Sequence, residues 1–384
     1  MRKLKMGMIG GGKNAFIGSV HRIAANIDGL IELHCGAFSS NPELSKESGR
    51  ELFLPMEKCY GSFEEMILTE SKLPQQQRMD FLTIVTPNFA HFAPTMLALN
   101  NGFHVVIDKP MTLSLDQAKQ LQQKVKETGL ILCLTHTYSA YPMVKQARKM
   151  IADNALGKIR KVMVEYPQGW LSRLYESEGN KQALWRTDPT KSGISGCMGD
   201  IGTHAAQLAE YMSGLKISKL CADINIVVEG RQLDDDGNVL LKFNNGANGV
   251  LVATQIATGE ENSLKIRIYG EKGGLEWHQM EPNSLLVKWP DAPAQIYRTG
   301  NDYLSNVARF NTRIPSGHPE GYLEAFANLY RNFALTLSSL LQGKTPTEEM
   351  LDFPSVDDGV RGMAFIEHVI ASGKSDQKWF DFKI

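Results

Sequence analysis

The chain has 384 residues, 42% hydrophobic and 22% charged, with a formal net charge of −1. That length points to two or three domains, and the composition is that of a globular protein with a sizeable core. A near-zero charge supplies no general field for nucleic acid or an anionic membrane, and no run approaches the roughly 20 apolar residues that span a bilayer, so neither is an expected partner.

The N-terminus, MRKLKMGMIGGGK, is basic, but glycines break its apolar part within a few residues. It therefore does not read as a signal peptide, and a cytoplasmic location is expected. Cys35, Cys59, Cys133, Cys197 and Cys221 are scattered, without a C-x-x-C pair. This argues for small buried hydrophobes in a reducing compartment, and no metal site is expected.

The first third alternates short apolar runs with amphipathic stretches. Leu4–Ile9, Ile31–Phe38, Phe81–Val85, Val105–Ile107 and Leu130–Leu134 read as buried strands. Ser19–Asn26, Phe92–Asn100 and Leu115–Thr128 show helical spacing, the last with Ser114 as N-cap and Gly129 as C-cap. Strand, helix, strand in that order predicts a doubly wound parallel sheet, whose ligands sit at the carboxyl ends of the strands.

The first strand runs into Gly10-Gly11-Gly12-Lys13-Asn14-Ala15-Phe16-Ile17-Gly18. Glycines there let backbone N–H groups approach a pyrophosphate seated on the next helix's N-terminus. Gly10, Gly12 and Ala15 satisfy the plain G-x-G-x-x-A register, and Gly10, Gly12 and Gly18 give a turn longer by three. The longer register is preferred, because Gly18-Ser19-Val20-His21 reads as the start of the helix. The second strand should end in an acid for the adenosine ribose; it ends in Ser39-Ser40 instead, with the nearest cations at Lys46 and Arg50. NAD is the expected cofactor, with NADP the alternative. Thr86-Pro87-Asn88 with His91 follows the third strand, and Asp108-Lys109-Pro110 follows the fourth. A lysine fixed directly after a buried strand is a candidate for proton transfer.

After about residue 137 the pattern changes. A helix at Pro142–Asp153 leads into an alternating strand at Ile159–Tyr166, and another helix spans about 196–213. Strand-like runs follow at Leu220–Glu229, Asn238–Asn244, Gly249–Ala257, Leu264–Tyr269, Gly274–Gln279 and Ser284–Trp289, with turns such as Asn245-Gly246 between them. They predict a large, mainly antiparallel open sheet in an α+β domain. Two long helices, about Gly321–Leu341 and Val356–Ala371, either cover it or pack back on the first domain. An open sheet face favours a homo-oligomer, a dimer or tetramer. The boundary is placed at 136/137. In Gly196-Cys197-Met198-Gly199-Asp200-Ile201-Gly202-Thr203-His204, Asp200 and His204 are four apart and share a helix face, an arrangement suited to holding an imidazole for proton transfer. A capping acid beside a buried histidine gives the same spacing.

Taken together, these motifs resemble the glucose–fructose oxidoreductase/inositol dehydrogenase (Gfo/Idh/MocA) family. Its marks are a glycine-rich first turn, T-P-N-x-x-H, an E-K-P tripeptide and a D-x-G-x-H segment, in the order found here. The resemblance implies proton transfer by Lys109 and His204 with support from Asp200. It also implies a dinucleotide lined by Gly10, Gly12, Lys13, Asn14, Phe16, Ile17, Gly18, Ser39, Ser40, Thr86, Asn88, His91, Asp108 and Lys109. Asp108 departs from the usual glutamate, and Gln207 stands where many members have aspartate. The long turn, M-G-D-I-G-T-H and Gly317–Tyr322 (G-H-P-E-G-Y) resemble the levoglucosan dehydrogenase branch most. The implied activity is hydride transfer between a nicotinamide and a sugar, anhydrosugar or polyol ring hydroxyl at C3. Glycoside cleavage through transient C3 oxidation and a catalytically idle dinucleotide sensor are the alternatives. Tyr138, Glu165, Gln168, Trp170, Arg173, Trp185, Arg186 and His318 are candidates for binding a sugar.

Overall fold

The structure, a computed structural model, describes residues 2–13 and 15–384. The chain divides into two compact units, Met1–Thr137 with Tyr322–Val360, and Tyr138–Gly321 with Arg361–Ile384. No helix among the described residues is long and apolar enough to cross a membrane.

The first unit runs β1 (Leu4–Gly10), α1 (Phe16–Ile27), β2 (Ile31–Ala37), α2 (Pro42–Glu51), α3 (Phe63–Ser71), β3 (Phe81–Val85), α4 (Phe92–Asn100), β4 (His104–Ile107), α5 (Leu115–Thr128) and β5 (Leu132–Leu134). The five strands form one sheet in the order β2-β1-β3-β4-β5, and every pairing is parallel. β3 is buried at all of its residues, as a strand covered on both faces must be. Ser114 caps α5 by accepting from Gln117 N, and Gly129 ends it with a left-handed φ of 67°. Apolar spacing gives no sign of α2, whose ten residues carry little apolar surface. Its cap gives the sign instead: Asn41 accepts from Leu44 N, with Pro42 in the first turn. The longer glycine register stands corrected in one respect. α1 begins at Phe16 rather than at Gly18, because Ala15 already takes the extended N-cap geometry. Gly18 thus lies inside the first turn, and a Cβ on it would come within 2.2 Å of Gly11 Cα.

The second unit contains α6 (Pro142–Ala152), β6 (Ile159–Pro167), α7 (Lys181–Arg186), α8 (Pro189–Ser192), α9 (Thr203–Ser213), β7 (Ile217–Asn225), β8 (Asp236–Phe243), β9 (Asn248–Thr254), β10 (Lys265–Gly270), β11 (Gly274–His278), β12 (Ser284–Lys288), β13 (Gln295–Arg298), α10 (Asn306–Phe310) and β14 (Phe380–Asp381). Nine strands form one sheet in the order β13-β12-β11-β10-β6-β9-β8-β7-β14. Only β6 and β9 pair in parallel in this sheet; the expected turn at Asn245-Gly246 joins β8 and β9, one of the antiparallel pairs. The residues just before α9, Met198–Gly202, form a π-helical turn, a local widening common at functional sites.

Two long helices complete the chain, α11 (Tyr322–Leu341) and α12 (Val356–Gly373). α11 belongs to the first unit, which decides between the two placements open from sequence. It packs on α1, where the His21 ring meets Phe326 edge-on at 4.7 Å and His21 Nδ1 lies 2.7 Å from the Tyr330 hydroxyl. Phe333 meets Phe81 of β3 at 4.9 Å. His21 is fully buried, and burial pushes its pKa down to about 4 against a partial pull from Asp108.

Two outcomes follow from this packing. Gly18→Ala forces Cβ into the Gly11 backbone and should cost about 1–3 kcal/mol of stability, read as a lower denaturation midpoint, together with weaker dinucleotide binding. For His21, the unfolded chain gains its proton near pH 6.5 and the folded chain only near 4, so stability is lost as pH falls through that window. In His21→Gln, the stability difference between about pH 7 and pH 4.5 should shrink by about 2 kcal/mol in urea titrations.

Candidate active site

In the first unit the glycine turn is shaped by steric necessity. Gly10 and Gly11 have φ of 79° and 70°, which side-chain-bearing residues rarely adopt. A Cβ on Gly12 would lie 2.8 Å from both Phe38 O and Ser48 Oγ. Arg22 of α1 donates to Gly11 O at 2.6 Å, and Lys13 N donates to Ser48 Oγ at 3.2 Å. Among the described residues no side chain caps α1, and the first-turn N–H groups of such a helix suit an anion. Gly11, Gly12, Lys13, Phe16, Ser48 and Glu51 line a groove of about 530 Å³ beside the turn. A dinucleotide pyrophosphate fits this arrangement of donors and bare backbone.

The other expected cofactor residues take varied positions. Asn14 lies outside the described residues. Lys13 turns its ammonium to Glu47 and Glu51 of α2, at 3.1 and 2.8 Å, rather than into open groove. Nothing in the sequence marks these two carboxylates as neighbours of the turn, because α2 shows no apolar spacing. Phe16 is exposed, Ile17 half-buried, and Ser39 accepts from Asn41 N at 3.1 Å while Ser40 is exposed. Asn88 is buried after β3, and Thr86 donates to Ala90 O at 3.0 Å. His91 is fully buried, with Nδ1 2.9 Å from Pro110 O and Nε2 2.8 Å from Thr86 O. Its ring thus sits between the loops after β3 and β4.

Lys109 stands directly after β4. Asp108 Oδ1 accepts from Lys109 N at 2.9 Å and from the Thr135 hydroxyl at 2.7 Å, which ties the ends of β4 and β5. Burial works against the Asp108 charge, but His21, Lys109 and the Thr135 bond outweigh it and hold its pKa below the usual carboxylate value. His136, at the end of β5, is almost fully buried, and burial together with Lys109 pushes it down to about 3. His136 is therefore neutral at ordinary pH. His91 is lowered as well, chiefly by burial. Thr135 and His136 went unread in the sequence, although they sit where such sheets place ligands, just past a strand's carboxyl end.

In the second unit Asp200 lies in the π-helical turn and His204 in the first turn of α9. A buried carboxylate sets this segment. Asp234 accepts from Gly196 N at 2.8 Å, Met198 N at 2.7 Å and the Ser195 hydroxyl at 3.1 Å. Asp200 Oδ2 accepts from Gln255 Nε2 at 2.9 Å and lies 3.4 Å from Arg186 Nε. The Arg186 guanidinium sits 4.2 Å over the Trp185 ring and 5.7 Å over Trp170. Trp170 Nε1 donates to Gln168 Oε1 at 3.0 Å, and Gln168 Nε2 donates to Asn262 Oδ1 at 2.6 Å. His204 is 8% exposed and meets Tyr138 edge-on at 4.9 Å.

Tyr138, Gln168, Trp170, Trp185 and Arg186 thus join Asp200 and His204 in one cluster. Arg173 and His318 do not: Arg173 stacks on Tyr175, and His318 turns Nδ1 to Pro315 O. The strap bearing Arg173 is held by its backbone instead, through buried Arg231, which donates to Leu171 O and Arg173 O, both at 2.9 Å. Glu165 pairs with Arg267 on the adjacent strand at 3.3 Å. Tyr166, Gln255 and Asn262 were missed from sequence; each is a single polar residue in or beside a strand, with no motif around it. Gln207, one turn past His204, has both carboxamide atoms buried with no hydrogen-bond partner.

Known proteins are similar over the whole chain. The pattern of the oxidoreductase family with an NAD-binding Rossmann fold matches residues 4–136, and that of the GFO/IDH/MocA C-terminal domain matches residues 144–276. An oxidoreductase from Sinorhizobium meliloti is 41% identical, with TM-score 0.89, over 99% of this chain and 100% of that one. An inositol dehydrogenase homolog from Azotobacter vinelandii, complexed with NAD+, is 32% identical with TM-score 0.94, over 99% of this chain and 98% of its own. The same homolog is also known complexed with NADH and myo-inositol. Levoglucosan dehydrogenase from Pseudarthrobacter phenanthrenivorans is 24% identical over 99% of this chain and 98% of its own. The chain is an oxidoreductase of the GFO/IDH/MocA family, and its first domain is an NAD-binding Rossmann domain.

Proposed function

We propose that the protein oxidises a ring hydroxyl of an uncharged sugar, anhydrosugar or cyclitol, at C3 where the substrate is a sugar, and that it also runs the reverse reduction. The observation that carries this reading is Gln207. A carboxamide buried without a partner costs about 1–3 kcal/mol, and a substrate hydroxyl, which both donates and accepts, restores what it lacks. Gln207 follows His204 by three residues on α9 and so shares its face. The Trp170 and Trp185 rings supply flat apolar surface, and Gln168 and Gln255 supply further donors and acceptors. Relatives named for levoglucosan, and the homolog complexed with myo-inositol, bear on substrates of this size.

A bound nicotinamide would supply the acceptor for the hydride that leaves the carbinol carbon. His204 takes the hydroxyl proton as the C–O bond becomes a carbonyl. Lys109 polarises that oxygen and stabilises the charge that gathers on it. Asp200, fixed by Gln255 and Arg186 in the turn before His204, favours the protonated ring that forms. A homo-oligomer formed through the second unit's nine-stranded sheet belongs to the same reading. Five unpaired thiols agree with a cytoplasmic setting.

A panel of mono-, di- and anhydrosugars, inositols and 3-keto sugars, assayed with NAD(H) and NADP(H) separately, tests the reading. It fails if the protein binds NAD but no polyol reduces it. Lys109→Ala and His204→Ala should each lower kcat by about 10²–10⁴-fold while the NAD Kd stays within a few-fold. Full turnover in either variant removes that residue from the reaction. Gln207→Leu should be at least as stable as the parent yet raise the sugar KM about tenfold or more, since one lost hydroxyl contact is worth about 1.4 kcal/mol or above.

A further inference from the structure

Beside His204 in the second unit, Tyr138, Tyr166 and Asn262 close a ring of hydrogen bonds that the proposed chemistry does not use. Asn262 Nδ2 donates to the Tyr138 hydroxyl at 3.0 Å, and the Tyr166 hydroxyl donates to Asn262 Oδ1 at 2.7 Å. The two tyrosine hydroxyls are bonded to each other. A phenol has one proton to give. Tyr166 gives its proton to Asn262, so the bond between the hydroxyls must be donated by Tyr138. The ring therefore runs one way, from Asn262 to Tyr138 to Tyr166 and back to Asn262, and each bond polarises the next.

This direction is imposed by the carboxamide. Asn262 Oδ1 also accepts from Gln168 Nε2 at 2.6 Å, and Nδ2 also reaches Gln279 Oε1 at 3.3 Å, so neither end can exchange with the other without losing bonds on both sides. Tyr138 and Tyr166 are both almost fully buried, and burial pushes the Tyr138 phenol up, which keeps it neutral. Their rings flank His204 at centroid distances of 4.9 and 6.4 Å.

We propose that Asn262 is a positioning residue. By fixing the direction of this ring it commits both tyrosine hydroxyls as neutral acceptors next to His204, so that proton transfer on this face falls to the imidazole. The role in turnover rests on the dehydrogenase reading above; the electrostatic effect on His204 does not. An aspartate at 262 can only accept. Both tyrosines would then donate to it, the ring would open, and a carboxylate would stand behind the rings that face His204. The other charged groups near α9 are Asp200 in the preceding turn with its partner Arg186, Glu210 of α9 paired with Arg361 and Lys216, and Lys145 and Arg148 of α6. The last two lie over the Tyr211 ring at 5.6 and 4.3 Å. β6 carries Arg160, Lys161 and Glu165, which are more exposed than its buried Val162, Val164 and Tyr166. β9, also against α9, carries no titratable side chain.

The test is an NMR titration of the His204 Cε1 proton in the full chain with isotope-labelled histidine, assigned with His204→Gln. Asn262→Asp should raise the His204 pKa by about one unit, a tenfold change in its proton affinity, and move the acidic limb of the kcat/KM profile by the same amount. Tyr166→Phe opens the ring without adding charge and should lower kcat several-fold with the His204 pKa and the NAD Kd held. An unmoved His204 titration in Asn262→Asp, in protein that binds NAD with the parent's Kd, overturns the proposal. So does a Tyr166→Phe enzyme with the parent's kcat, which also decides the matter if Asn262→Asp does not fold. If no polyol reduces NAD even in the parent, the dehydrogenase reading fails while the titration still tests the ring.

Discussion

A polar group removed from water must find a partner, and in this chain that requirement builds both halves of the chemistry. Asp234 is buried with three donors on it, and those donors are the residues that start the segment bearing Asp200 and His204. Burial alone would push such a carboxyl towards neutrality, and its pKa is indeed raised even though each bond resists the shift. The bonds fix where the π-helical turn begins, and hence which way Asp200 and His204 face. Removing the partner, not the charge, would be the costly change.

The same demand orders the first unit. His91 bridges two loop carbonyls, Asp108 joins the ends of β4 and β5 through Thr135, and Arg22 holds the glycine turn through Gly11 O. Each of these bonds fixes backbone on either side of Lys109 or the dinucleotide turn. Burial also sorts the charges. His21 and His136 are held neutral by burial, while the Asp108 carboxyl is held below its usual value.

Among the buried polar atoms left unpaired, one carboxamide on α9 is open at both ends. Gln207 is buried with neither end of its carboxamide bonded. Asn262, by contrast, uses its carboxamide completely. The pair illustrates how the same functional group serves two ends: unsatisfied, it waits for a ligand; satisfied in a directed ring, it sets the hydrogen-bonding character of its neighbours.

Much was legible in the sequence where a local pattern has a single physical cause. Buried parallel strands read as apolar runs because both faces are covered, which is why β3 matched residue for residue. The glycine turn, Lys109 and the Asp200/His204 spacing were readable because backbone approach and helix periodicity act over a few residues. The helix start at Phe16 was not, since Gly18 looks like a beginning and is in fact a contact with Gly11 across the turn. α2 was hidden because its cap, not its apolar spacing, defines it. His91 reads from its motif as a dinucleotide residue, and its burial between Thr86 O and Pro110 O exists only once two strands lie side by side. Tyr166, Gln255 and Asn262 come from segments nearly a hundred residues apart and meet only across the second sheet. The sequence by itself thus determined the fold class and the NAD-binding domain, because both are encoded in short-range periodicity and sterics. Only the tertiary structure decided which polar side chains are paired, which are neutral and which are left open, because those properties depend on burial and on partners far away in the chain.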